Sequence, residues 1–496
     1  MRKSTFALFF CALFMIASAR GQNLTVTFDR NSPGMREGYV YAPGVAGMAL
    51  DLTAAARDRR PVVVDNPGVN ISERFSAAIW VKTPNGTTDR EVIFSVTGDG
   101  GTDTGIFVGA AGGGSWFVEI AGVEETVVYE PTVKRQRLND GNWHLVGVTF
   151  DRGKGCADFF FDGIKMATYN TAELGLPELK KLYLGGRGES ETDSFNGHVD
   201  NFVLYDHLFT AEEIFAVYAT FIRGVRAPKQ ATAPDSIRFM TFDIEPGGAL
   251  TGGQVGPVRI AEVIEVSGAD VVGLVKAEES GALIADALGF YLYRHNGSIS
   301  ILSRYPVSDI HDLGTGEDCA AVMIDAGRGR PVNYLCLDLG SPAPEIQMMT
   351  ATAASATENR EREGRAAQLQ RILRGARDLA GIEDRIVVSG GFNSGSHLDW
   401  AEEFKDAHGG FVIEWPSTRL REESGFEDSY REINPSFRDY PGVPLAAGDD
   451  TVIPYRKDFI FYKGALVPQR SAVINSHSVR FPSGHAALMT VFKIVK

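Results

Sequence analysis

Along the first half of the chain, hydrophobic and polar positions alternate in short runs separated by Gly, Asn and Asp. The runs FSAAIWVKT (75–83), WHLVGVTFD (143–151), CADFFFDG (156–163), KLYLGG (181–186) and GHVDNFVLYD (197–206) read as strands. TAEEIFAVYATF (210–221) reads as a helix, opened by Thr210 with Glu213 three residues on, a capping box. Many short strands at regular spacing predict an all-β sandwich. After about residue 236 the period changes and strands alternate with helices. SIRFMTFDI (236–244) and ADVVGLV (269–275) read as strands, and PVRIAEVIEVSG (257–268) as a helix with Ile260, Val263 and Ile264 on one face and a stop at Gly268. GSISILSRYPV (297–307) reads as one strand, residues 358–380 as one long helix carrying Leu369, Ile372, Leu373, Ala376 and Leu379, and RIVVSGG and KDFIFYKG (457–464) as strands. That order predicts an α+β sandwich of two sheets with helices outside, four layers in all.

The chain has 496 residues, too many for one ordinary core, and the Pro- and Ala-rich stretch RAPKQATAPDS (226–236) separates the two patterns. The expected organisation is a signal peptide at 1–21, a β-domain at 22–222, a linker at 223–236 and an α+β domain at 237–496. The signal is read from MRKSTFALFFCALFMIASAR, with its basic start, apolar run and small-x-small Ala17-Ser18-Ala19. The expected location is therefore secreted, periplasmic or cell-surface. No later stretch approaches the length of a membrane span. A formal charge of −14 without a basic stripe disfavours nucleic acid as a partner. Cys319 and Cys336 flank a hairpin with its turn near Gly327 and Arg328, and counting outward sets them opposite each other. Either a cross-strand disulfide or two packed thiols fits that placement.

Three pieces of the first half, FSAAIWVKT, DGNWHLVGVTFDRGKGCADFFFDG and FNGHVDNFVLYDHLFTAEEI, resemble the laminin-G-like, concanavalin-A-like jelly roll. Such modules bind glycans or extracellular proteins, sometimes with Ca²⁺, or serve as spacers. The acidic loops TGDGGTDTG (97–105) and RGESETDSFNG (187–197) offer oxygens for Ca²⁺, although neither has the spacing of a calcium motif. Trp80 and Trp143 lie in apolar strands and read as core, and Trp116 stays open as a sugar-stacking residue.

The second half resembles the endonuclease/exonuclease/phosphatase superfamily, the deoxyribonuclease-I-like sandwich. MTFDI, SGADVVGLVKAEES, SISILSRYPV, VNYLCLDLGSP, VVSGGFNSGSHLDW, SGFEDSYREINP, RKDFIFYKG and FPSGHAAL carry the resemblance, in order. Active members hydrolyse phosphate esters with a divalent cation, usually Mg²⁺. This chain departs from their pattern at most of the positions that matter. Asp243 stands for the usual Asn, Lys276 for the metal-ligand Glu, and Asp338 for a phosphate-contacting His. Gly391 and Gly484 each stand where the family has a catalytic Asp. Asn393, Asp458 and His485 are retained, and the last two form a pair in the family.

The resemblance and its departures imply a glycan- or protein-binding jelly roll joined to an inactive domain of phosphoesterase fold, with no cofactor. An exported Mg²⁺-dependent phosphodiesterase, phosphatase or nuclease with a rearranged site is the alternative. A purely structural surface protein is the third reading. The exchange of a Glu for Lys276, together with new carboxylates at Asp243 and Asp338, also predicts that Lys276 acts as a built-in cation. Its expected partners are Asp243, Asp338 or Asp458.

Overall fold

The structure, a computed structural model, describes residues 23–29, 37–56, 58–64, 68–84, 86, 89–99, 101, 103–189, 194–227, 234–314, 316–327, 330–340, 351–377, 379, 385–442 and 455–495. The signal segment 1–21 and residues 228–233 of the linker lie outside the described residues. The chain divides into two compact units, Met1–Lys229 and Gln230–Lys496. Among the described residues no helix is long and apolar enough to cross a membrane.

The first unit is a jelly-roll sandwich of two antiparallel sheets. One runs Val40–Pro43, Met48–Asp51, His198–Tyr205, Arg74–Lys82, His144–Asp151, Cys156–Phe161, Ile164–Asn170, with Asn23–Val26 also paired to His198–Tyr205. The other runs Val62–Val64, Lys181–Leu184, Glu91–Thr97, Gly105–Ala110, Trp116–Ala121, Thr126–Tyr129. Phe94 and Phe202, one from each sheet, meet edge to face at 5.9 Å between ring centres. The opposite face of Arg74–Lys82 is covered as well, because Ala78 and Trp80 pack against Ile214 and Val217 of the helix Ala211–Phe221. Burial on both faces explains why this strand reads as a continuous apolar run rather than an alternation. The helix opens on Thr210, whose hydroxyl accepts from the Glu213 amide while the Glu213 carboxylate accepts from the Thr210 amide.

The second unit is a four-layer α+β sandwich. One sheet runs Tyr291–Arg294, Ser300–Ser303, Val271–Val275, Ser236–Asp243, Ala487–Ile494, Leu466–Ile474. The other runs Val307–Ile310, Cys319–Asp325, Pro331–Asp338, Ile386–Gly391, Asp458–Lys463, Glu427–Asp428. Each sheet has one parallel pair near its middle, Ser236–Asp243 with Val271–Val275 and Pro331–Asp338 with Ile386–Gly391. Phe239, Val271, Ile301, Val322, Tyr334, Val387, Ile460 and Phe492 fill the space between the sheets. Leu369, Ile372, Leu373 and Ala376 of the helix Arg365–Arg377 cover the outer face of the second sheet. The helix Val255–Ser267 buries Ile260, Val263 and Ile264 and ends at Gly268, whose φ of 72° is the left-handed stop.

A closed charge network braces this unit. Arg456 donates to Asp399 at 2.8 Å and to Asp428 at 2.9 Å, and Arg431 donates to Asp399 at 2.5 Å. All four side chains are buried. Burial pushes the Asp428 carboxyl up, but the Arg456 guanidinium, joined by the Arg421 charge and the Arg431 amide, offsets it and holds the carboxyl below its ordinary range.

Three sequence expectations are corrected. The 358–380 segment is two helices, Ala351–Glu363 and Arg365–Arg377, interrupted at Gly364, a weak helix former. The 297–307 run splits between sheets, giving Ser300–Ser303 and the start of Val307–Ile310. Cys319 and Cys336 are not opposite one another: Cys319 pairs with Leu337, and Ala320 pairs with Cys336. A slip of one residue sends the two side chains to opposite faces of the sheet. Cys336 therefore lies between the sheets and Cys319 lies under the outer helix, and both are free thiols. The turn-centred count failed because the hairpin is not symmetric about Gly327 and Arg328.

Candidate functional site

The carboxyl ends of both parallel pairs meet at one rim of the second unit, the edge where open α/β sheets gather functional groups. Asp243 and Val275 are partners at the end of the first pair, so Lys276 follows directly beside Asp243. Asp338 and Gly391 end the second pair, and Gly391 is in turn partnered by Asp458. His485 lies just before the strand Ala487–Ile494, which pairs with Ser236–Asp243.

The Lys276 ammonium lies 3.1 Å from Asp243 Oδ2 and 2.9 Å from Glu245 Oε2. The side chain of Asp243 is only 2% exposed, while that of Lys276 is 31% exposed. Lys276 has a φ of 55°. A left-handed conformation costs a residue with a side chain on the order of 1–2 kcal/mol. Local hydrogen bonds hold it there. Its amide donates to Ser298 Oγ at 3.2 Å, and its carbonyl accepts from the Gly247 amide at 3.1 Å. Ser298 Oγ donates onward to Asp338 Oδ2 at 2.5 Å.

His485 Nδ1 lies 3.0 Å from Asp458 Oδ2, and Nε2 lies 3.9 Å from Asp243 Oδ2, too far for a hydrogen bond. Burial works against a charge on His485, but the hydrogen bond and charge of Asp458, joined by the charge of Asp243, overcome it and raise the imidazole to about 9. At neutral pH His485 is thus an imidazolium, able to donate a proton and unable to accept one. Burial, reinforced by the nearby Asp458 charge, pushes Asp243 up, against the pull of His485 and Lys276. The Lys276 hydrogen bond holds Glu245 below its ordinary range. Burial alone would lower Lys276, yet Glu245 and Asp243 together raise it.

The two substituted glycines differ from Gly390. A Cβ at Gly390, where φ is 135°, would lie 2.0 Å from the Leu337 carbonyl oxygen, so only glycine fits. A Cβ at Gly391 would meet Asp338, Val275 and Asp458 at ordinary contact distances of 3.6–3.8 Å, and one at Gly484 would meet nothing within 4 Å. The backbone and its neighbours therefore leave room for a side chain at either position.

Asp243, Lys276, Asp338, Gly391, Asp458 and His485 are all brought to this rim. Asn393 is turned to another task, donating from Nδ2 to the Leu339 carbonyl at 2.8 Å. Glu245, Ser298 and Ser483, whose hydroxyl donates to the Asp243 carbonyl at 2.6 Å, belong to the rim but were missed in the sequence. Only the nearness of Glu245 to Asp243 in the chain could have pointed to it.

Asp243, Glu245 and His485 offer ligand atoms within 4.8 Å of one another, the right chemistry for a divalent ion. The residues present nevertheless do not fit one, because the Lys276 ammonium already lies against both carboxylates. A divalent ion about 4 Å from that ammonium would be repelled by roughly 8 kcal/mol at an effective dielectric of about 20.

In the first unit, Trp80 and Trp116 are fully buried and Trp143 is partly buried in the core. Trp116 Nε1 donates to Gln136 at 2.9 Å, which makes it a core residue rather than a stacking platform. In the first acidic loop Asp99 is paired with Lys180 at 2.8 Å. Residues 100, 102 and 190–193 of the two loops lie outside the described residues.

Residues 59–215 match the Concanavalin A-like lectin/glucanases superfamily, so the first unit carries a laminin-G-like domain. Solved structures similar to the chain include an endonuclease/exonuclease/phosphatase from Beutenbergia cavernae, 18% identical, with a TM-score of 0.37, covering 52% of this chain and 72% of that one. An AP endonuclease from Archaeoglobus fulgidus is 14% identical, with a TM-score of 0.38, covering 52% of this chain and 100% of that one. A Caenorhabditis elegans protein, "Uncharacterized protein F14F9.5", is 34% identical over 301 residues, 53% of this chain and 92% of the nematode protein, and the chain belongs to that protein's family.

Proposed function

We propose that this is an exported binding protein in which the jelly roll holds a glycan or an extracellular protein. On this reading the second unit keeps the phosphoesterase architecture without hydrolysing phosphate esters. The observation that carries it is the Lys276 ammonium, 3.1 Å and 2.9 Å from the two carboxylates a metal would need. Hydrolysis in this architecture relies on a metal for charge neutralisation and on a group that takes a proton from water. Here the metal position is contested by a lysine, Gly391 and Gly484 bring no carboxylate, and His485 is already protonated.

The purified full-length chain, incubated with bis-p-nitrophenyl phosphate and with single- and double-stranded DNA in Mg²⁺, Mn²⁺ or Ca²⁺, should give no turnover above buffer. Metal-dependent turnover lost in His485→Ala would overturn the reading in favour of a hydrolase, the alternative that the His485–Asp458 pair favours. The binding half is tested on a glycan array with the same full-length chain. Failure to retain any glycan, together with failure to bind extracellular-matrix proteins, would leave a structural role in its place.

A further inference from the structure

The fold implies a divalent ion at the rim, and the residues present refuse it. We propose that Lys276 is a resident counter-cation that replaces the ion, so that removing its charge uncovers a divalent-cation site on Asp243, Glu245 and His485. The inference rests on the non-hydrolytic reading above, and it concerns what holds the rim together rather than what the protein binds.

Three observations carry it. The ammonium is centred on the carboxylates rather than extended into water: it touches Asp243, which is almost wholly buried, and Glu245 on the following turn. An idle lysine would keep its ammonium hydrated and leave Asp243 without that partner. Its backbone is held in a left-handed conformation by Ser298 on one side and Gly247 on the other, which aims the side chain into the cluster. The loop that supplies Gly247 also supplies Glu245, so the lysine and its second carboxylate are fixed by the same turn. Finally, four carboxylates gather at the rim, Asp243, Glu245, Asp338 and Asp458, around the ammonium of Lys276 and the ring of His485. Without Lys276 the excess of negative charge is one a divalent ion matches in sign and in ligand type. The imidazole nitrogen of His485 nearer Asp243, Nε2, takes no part in the Asp458 bond and joins the ligand set by giving up its proton to solvent as the ion enters.

The test uses full-length protein and Mn²⁺ alone, at pH 8, reading thermal unfolding and, separately, Mn²⁺ binding by electron paramagnetic resonance. The native chain should neither bind Mn²⁺ at the rim nor change its melting temperature between EDTA and millimolar Mn²⁺. Lys276→Met should melt about 3–6 °C lower in EDTA and recover at least half of the loss in Mn²⁺, with one ion bound. Lys276→Glu should show the same pattern with a larger loss and a fuller recovery. Lys276→Arg, which keeps the charge, should resemble the native chain. The proposal is overturned if Lys276→Met melts like the native chain and ignores Mn²⁺, or if the native chain binds Mn²⁺ as tightly as the variant. Should Lys276→Met and Lys276→Glu both fail to fold in EDTA, refolding in Mn²⁺ decides: recovery supports the proposal, and failure in both conditions overturns it. Native turnover in the phosphoesterase assay would remove the functional reading, whereas a silent Lys276→Met would remove only this inference.

Discussion

Two cations of the second unit are each held by a pair of carboxylates, and they live in opposite surroundings. Arg456, between Asp399 and Asp428, is sealed in protein, and each partner is also bonded elsewhere: Asp399 to Arg431, and Asp428 to the amides of Tyr430 and Arg431. Lys276, between Asp243 and Glu245, has one buried partner and one that is 58% exposed. The first arrangement fixes the loops that carry residues 399, 428 and 456, and nothing from solvent can substitute for a missing member. The second lies at an open rim where water or an added ion can compensate. Buried pairs contribute little net stability when intact and cost a great deal when halved, exposed pairs are worth little either way, and the half-open Lys276 cluster falls between the two. The difference implies that the rim should tolerate a change of its cation where the Arg–Asp network should not.

The contrast can be broken in four ways. Asp399→Ala should be the most damaging, costing about 3–5 kcal/mol because it strips the buried Arg431 of its carboxylate partner and the buried Arg456 of one of two. Urea denaturation followed by tryptophan fluorescence measures it, and a loss below about 1 kcal/mol would mean the network is not closed. The next effect is in pH. The imidazole of His485 is raised in the folded chain, so the stability it supplies is complete below its ordinary value near 6.5 and is lost as pH rises through about 9. The fall should amount to at most about 3 kcal/mol, and His485→Gln should flatten it; an unchanged slope in that variant would assign the titration elsewhere. Gly391→Asp comes third. Its side chain fits, but it adds a carboxylate between Asp338 and Asp458 and should cost roughly 1–2 kcal/mol, more than Gly391→Asn, which has the same shape and no charge. Equal melting temperatures for the two variants would argue against crowding. Gly484→Ala, facing open space, should change stability by less than about 0.5 kcal/mol, and a larger loss in the melt would place an unseen neighbour there.

Much of the fold was legible because its strands are buried in a way that shows locally. FSAAIWVKT and WHLVGVTFD became the central strands Arg74–Lys82 and His144–Asp151, and the Thr210–Glu213 box opened the expected helix. Register was less legible. The position of Cys319 against Leu337 depends on how the hairpin closes, and no residue pattern near residues 328 and 329 reveals that. The interruption at Gly364 leaves the apolar spacing of Leu369, Ile372 and Leu373 intact, so periodicity alone could not detect it. At the rim, motif order located Asp243, Lys276, Asp458 and His485, which stand at strand ends. Glu245 and Ser298 escaped because their roles come from how far a side chain reaches across a turn, which spacing does not encode.

The one-residue offset between Cys319 and Cys336 has a consequence for the chemistry of the two sulfurs. Each sulfur is enclosed in a different hydrophobic layer, and burial pushes both thiols far above their ordinary range, so neither supplies the thiolate that oxidants and disulfides attack. The folded second unit thereby keeps two cysteines as inert filling, and the hazard of wrong pairing is confined to the chain before its sheets close.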